Sequence, residues 1–138
     1  MDSSLLVSLY VKDSNSPQAL QRMSTRPDVW VTPLNRSELA HAVNRYVFRE
    51  KLSEFEAHRA LKAFEDDCAN GTWSLANFPA AVWDRSIDLA RRHGPRLGMR
   101  TLDSLHVACA LELNAERFWT FDERQARLAE AAGLDTRS

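Results

Sequence analysis

Residues 101–114 set the terms on which this chain can fold. Leu105, Val107, Ala108, Cys109, Ala110 and Leu111 leave no side of the predicted helix for water. A helix apolar all round has to be enclosed by other elements, and 138 residues of which 44% are apolar supply enough material for one such core. A single domain over residues 1–138 is therefore expected.

The rest of the chain reads as the enclosing elements. Leu5, Leu6, Leu9 and Tyr10 fall at helical spacing, and a second helical piece over residues 17–25 follows the Asp13-Ser14-Asn15-Ser16 break. Residues 28–32 form a short strand pattern. Pro33 suits a first helical turn, and Leu39, Ala42, Val43, Tyr46 and Val47 make one apolar stripe, which predicts a helix over 34–50. Ser53 and Glu56 form a capping box opening a helix over 53–70, which Gly71 stops. Residues 72–78 alternate as a strand does, and Pro79 opens an amphipathic helix expected to end near Gly94-Pro95. Residues 117–121 read as a strand, 122–132 as a short helix and 133–135 as the start of an edge strand. Strands alternating with helices imply an α/β fold in which helices flank a mostly parallel central sheet.

Composition narrows the function classes. Lysine and arginine total 18 against 19 acids, a formal net charge of −1, so the chain is not the basic body of a simple nucleic-acid binder. The two cysteines, Cys68 and Cys109, lie inside helical patterns without metal-ligand spacing, which points to buried thiols of a cytoplasmic protein and not to a disulfide framework or a zinc site. No secretory leader pattern opens the chain, and no apolar run reaches the roughly 18 residues that span a bilayer.

In a parallel α/β sheet, functional groups collect beyond the carboxyl ends of strands and at adjacent helix N-termini. Asp122 directly follows the 117–121 strand, Asp103 lies in the first turn of the buried helix, and Asp2 precedes the first helix. Glu38 lies in the early turns of its helix, beside Leu39. Each acid has an ordinary reading: Asp103 as a first-turn acid favoured by the helix dipole, Asp122 as an N-cap with Gln125 completing the box, Glu38 paired with Asn35. Together they are expected to converge. Carboxylates about 4 Å apart repel by roughly 4 kcal/mol per pair at an effective dielectric near 20, so such a cluster calls for a cation or for protons. All-oxygen donors favour a hard ion, Mg²⁺ or Mn²⁺. With the four set apart, the remaining charges lean mildly basic, as a polyanionic substrate permits.

The stretches Asp2-Ser-Ser-Leu-Leu-Val-Ser-Leu-Tyr10, Asn35-Arg-Ser-Glu38-Leu, Arg100-Thr-Leu-Asp103-Ser-Leu-His-Val-Ala-Cys-Ala-Leu111 and Thr120-Phe-Asp122-Glu-Arg-Gln-Ala-Arg-Leu-Ala129 resemble, in order and spacing, the four blocks of PIN domains. They are most similar to the VapC-type toxins of bacterial toxin–antitoxin pairs. The resemblance implies a three-layer sandwich and Mg²⁺- or Mn²⁺-dependent endoribonuclease activity that leaves 5′-phosphate and 3′-hydroxyl ends. It also implies a homodimer and a cognate antitoxin as partner. On it, Asp2 and Asp103 are direct metal ligands, Glu38 holds metal or positions water, Asp122 completes the set, and Ser4 falls on a supporting hydroxyl position. PIN domains open on a strand that runs into the first acid, whereas here only Met1 precedes Asp2. That first strand is expected to be missing from this chain, and the intact later blocks suggest a start codon recorded too late.

Arg91, Arg92, His93, Arg96 and Arg100 make a basic stretch before the Asp103 helix, suited to phosphate contacts, with Arg96 and Arg100 nearest the site. His106 and His41 are read as packing or supporting groups. Trp30, Trp73, Trp83 and Trp119 are read as core or interface anchors, because their neighbours follow strand and helix patterns. Two rival functions remain open. One is a PIN-like RNA- or protein-binding module that does not cut. The other is a phosphoryl-transfer enzyme with Asp2 as nucleophile, for which no lysine follows a late strand.

Overall fold

In the computed structural model, which describes residues 1–137, the chain divides into two compact units. One comprises Ser3–Asn77; the other joins Met1–Asp2 to the stretch from Phe78 onward.

The Ser3–Asn77 unit holds α1 (Ser3–Tyr10), α2 (Ser16–Met23), β1 (Trp30–Val31), α3 (Pro33–Phe48), α4 (Glu54–Ala69) and β2 (Ser74–Leu75). The starts of α3 and α4 follow from local chemistry. Thr32 and Asn35 form a reciprocal capping box on α3, with Pro33 in the first turn, and Ser53 and Glu56 form the expected box on α4. Helix α1 packs on α3, α4 and α2, and α3 on α4, burying Leu5, Leu6, Leu39, Val43 and Phe64. Tyr10 joins this packing edge-on to Phe64, takes a hydrogen bond from Trp73 Nε1 at 2.7 Å and donates one to Asp67 at 2.6 Å. Strands β1 and β2 pair in parallel, Trp30 with Ser74 and Val31 with Leu75.

The second unit holds α5 (Val82–Leu97), α6 (Thr101–Glu112) and α7 (Glu123–Ala131), each in contact with the other two. Every residue of α6 from Asp103 to Ala110 is buried, as its apolar circumference requires. Full burial of a side chain such as Leu105 or Val107 contributes roughly 1.5–3 kcal/mol, so α6 anchors this unit. Helix α5 runs through Gly94-Pro95 and does not end there: Pro95 lies in its last turn, and the stop is Gly98, whose left-handed φ of 57° lets its N–H reach Gly94 O.

The fold is thus a mostly helical α/β arrangement with a small parallel sheet. The sheet is narrower than the sequence pattern suggests. Residues 28–32 and 72–78 contribute two-residue strands, and 117–121 forms no strand but a single parallel bridge, Arg117 with Asp135. The segment is nevertheless tied by its backbone, Phe118 N donating to Asp135 O at 2.8 Å and Trp119 O accepting from Asp2 N at 2.8 Å. Its aromatic content signals burial, which Phe118 and Trp119, both buried, satisfy; ladder length depends on neighbouring backbone, which composition does not encode.

Candidate functional site

Three of the four predicted acids belong to the α5–α7 unit. Asp2 is fixed at the backbone by its bond to Trp119 O. Its carboxylate accepts from Thr120 Oγ1 at 3.3 Å and from Gln125 Nε2 at 3.4 Å, and His106 Nε2 stands 3.7 Å from Oδ1. Gln125 and His106 are themselves buried, so the groups that surround Asp2 on this side are enclosed by protein. Neither Thr120 nor Gln125 was singled out by the sequence. The one signal for Gln125 was its capping-box position, yet its side chain reaches Asp2.

Asp103 sits in the first turn of α6 with its side chain only 7% exposed. Its Oδ2 accepts from the backbone N–H of Arg100 at 3.0 Å, so the ordinary helix-start role is realised. Asp122 is the N-cap of α7, its Oδ1 accepting from Arg124 N and Gln125 N at 2.9 and 3.2 Å. Thr120 Oγ1 accepts from Asp122 N at 3.0 Å and donates to Asp2, so one hydroxyl links the two acids.

Arg100 joins Asp103 to Asp122. Its Nε lies 3.0 Å from Asp103 Oδ2, and its Nη2 lies 3.3 Å from Asp103 Oδ1 and 3.1 Å from Asp122 Oδ2. The carboxylates, Asp103 foremost, hold the guanidinium pKa above its ordinary value. The side chain of Arg100 is 66% exposed, whereas Asp103 is enclosed. Arg96 is exposed near the end of α5.

The fourth acid, Glu38, is half-buried on α3 in the other unit. Its Oε1 accepts from Ser3 Oγ at 3.1 Å, and Ser3 Oγ in turn accepts from Asn35 Nδ2 at 3.3 Å. Asn35 Oδ1 accepts from Thr32 N and Thr32 Oγ1, so the box that starts α3 also orients the serine beside Glu38. Asn35 thus bonds Thr32 and Ser3, and Glu38 accepts a bond from Ser3. Ser4, the hydroxyl that the resemblance selects, is half-buried in α1. His41 is exposed and bonds Ser37 O through Nδ1, a local helix contact. Of the tryptophans, Trp73 and Trp119 are buried, Trp30 is half-buried, and Trp83 is 57% exposed beside Phe78.

The donor chemistry suits a hard cation: Asp2, Asp103 and Asp122 offer only oxygen. Arg100 Nη2 serves as a stand-in ion, one cationic nitrogen already within 3.3 Å of an oxygen of both Asp103 and Asp122. Among the described residues, no three histidine, cysteine, aspartate or glutamate side chains group closely enough to hold a metal ion. Nor is any described helix long and apolar enough to cross a membrane.

Comparison with protein families matches the PIN domain over residues 1–131, a span that contains all four acids. The chain belongs to the PIN-domain family. Its members are generally nucleases that act on RNA and typically use divalent metals. No curated protein matches the chain.

Proposed function

We propose that this protein is a metal-dependent endoribonuclease in which Asp2 and Asp103 are direct ligands of Mg²⁺ or Mn²⁺, Glu38 holds metal or positions water, and Asp122 completes the set. The observation that carries this reading is the one cationic nitrogen held between Asp103 and Asp122, inside a matched PIN domain. Two carboxylates that already share a positive centre form an anionic pair matched to a cation.

A bound divalent ion supplies charge neutralisation at the scissile phosphate and a water of lowered pKa, so no covalent enzyme intermediate is required. The protein's own groups do the positioning. Thr120 and Gln125 orient Asp2, the α6 start orients Asp103, the α7 cap orients Asp122, and Ser3 orients Glu38. Ser4 supports the site from α1 on the strength of its family position. Arg96 and Arg100, both exposed, offer contacts to RNA phosphates.

The particular role proposed is that of a VapC-type toxin acting in the cytoplasm as a homodimer controlled by a cognate antitoxin. The block resemblance supports it, as do the exposed Trp83 and Ile87 on α5 and Phe48 and Phe55 in the other unit, which are suited to protein partners. A second reading, a PIN-like binding module that does not cut, has one observation in its favour: Arg100 pairs with both Asp103 and Asp122, so a side chain of the protein already compensates the two charges.

Incubation of total RNA with the purified protein in Mg²⁺, Mn²⁺ or EDTA tests the proposal. Metal-dependent cuts that vanish in Asp103→Asn support the nuclease; folded protein that binds RNA but leaves it whole with either metal supports the binding module.

A further inference from the structure

We propose that Arg100 is a resident counter-ion of the carboxylate cluster, which a divalent cation has to displace in order to bind; this deepens, and rests on, the metal-centre reading above. Its guanidinium touches both Asp103 and Asp122, at 3.0 to 3.3 Å. An arginine and a metal ion cannot both occupy the space between those oxygens, so the two cations compete for one anionic pair.

The two sides of the contact differ in freedom. Asp103 and Asp122 are fixed by helix starts, through bonds from Arg100 N and from Arg124 N and Gln125 N. The Arg100 side chain is two-thirds exposed, so its guanidinium can swing into water. Ion pairs with so exposed a partner are weak, and a divalent ion carries twice the charge. Departure of the guanidinium also leaves the α6 start intact, because the bond from Arg100 to Asp103 Oδ2 at 3.0 Å comes from the backbone N–H. Arg100 therefore keeps the acids compensated while no metal is bound and sets the metal concentration at which the site fills. A pure capping role for the Arg100–Asp103 contact predicts no such competition.

Mn²⁺ binding to the full chain, read from the electron paramagnetic resonance signal of free Mn²⁺, tests this without any turnover. Arg100→Gln is expected to bind Mn²⁺ about tenfold more tightly than the wild type, and Arg100→Lys, which keeps a charge but not the planar fork, to fall between them. A folded Arg100→Gln protein with unchanged or weaker affinity overturns the proposal while leaving the metal centre standing. Absence of Mn²⁺ binding by wild type and variants alike overturns the metal centre, and this proposal with it. Should Arg100→Gln fail to fold, NMR of the wild type decides, with the Arg100 Nε–H assigned by comparison with Arg100→Lys. Its exchange with solvent should accelerate as Mg²⁺ saturates the protein, and unchanged exchange at saturation contradicts displacement.

Discussion

The buried amide of Gln125 donates to Asp2 Oδ1 at 3.4 Å while its own Oε1, also buried, finds no hydrogen-bond partner among the described residues. The arrangement helps Asp2 at some expense to the fold, since an unpaired buried acceptor is unfavourable by about 1–3 kcal/mol. Gln125→Leu removes both the donor to Asp2 and the orphaned acceptor. Thermal unfolding of this variant should stay within about 1 kcal/mol of wild type, while cleavage falls by roughly 10- to 100-fold, the usual effect of losing a group that orients a ligand. Melting curves and single-turnover rates check the two halves separately.

Asp122 has two roles that different substitutions separate. Asp122→Ala removes the N-cap of α7 as well as a carboxylate, so it should cost about 0.5–2 kcal/mol of stability along with activity. Asp122→Asn keeps a capping oxygen for Arg124 N and Gln125 N, and should unfold like wild type yet cleave poorly. Urea unfolding beside RNA cleavage distinguishes them, and equal stability loss in both variants contradicts the assigned cap.

Most of what places these acids was legible in the sequence. The apolar circumference of residues 105–111 made α6 a buried helix, and with it put Asp103 at a buried helix start. The box at Ser53 and the N-cap at Asp122 were readable because a cap involves residues two or three apart, whereas the Gln125 side chain, expected to complete a box at Asp122, goes to Asp2. Contacts across long sequence separation were not. Thr120 and Gln125 reach Asp2 over 118 and 123 residues, and neither residue type carries a mark that distinguishes it from a surface polar group. Arg100 was read as a phosphate contact because a guanidinium near an acidic site has two available anions, substrate and carboxylate, and spacing alone does not choose between them. The strands shrank for a related reason: residues 117–121 have the aromatic content of a strand, but only Arg117 finds a bridge partner, at Asp135.

Tyr10 should make the fold sensitive to alkali. Burial first, and then the hydrogen bond to Asp67, raises its phenol pKa above the ordinary 10.0. The folded chain thus keeps the phenol protonated where the unfolded chain begins to lose the proton. This contribution is complete below pH 10 and is lost as pH rises through the folded value. Tyr10→Phe leaves Trp73 Nε1 and Asp67 without this partner and should be weaker by about 1–3 kcal/mol at neutral pH. Above pH 10 it should also lose less further stability than wild type. Urea unfolding at pH 8, 10 and 11 measures both effects.

The central claim, that this carboxylate set serves metal-dependent hydrolysis of RNA, is tested most directly by the chemistry of the cut ends. Labelled RNA would be treated with wild type, Asp103→Asn and Glu38→Gln, each with Mn²⁺ and with EDTA, and the termini identified. Water-mediated cleavage predicts 5′-phosphate and 3′-hydroxyl ends from wild type in Mn²⁺ alone, with at least a hundredfold loss in Asp103→Asn, because a direct ligand should matter more than the groups that orient it. Cuts that persist in EDTA and leave 2′,3′-cyclic phosphates, or no cuts at all from folded protein saturated with Mn²⁺, would contradict it.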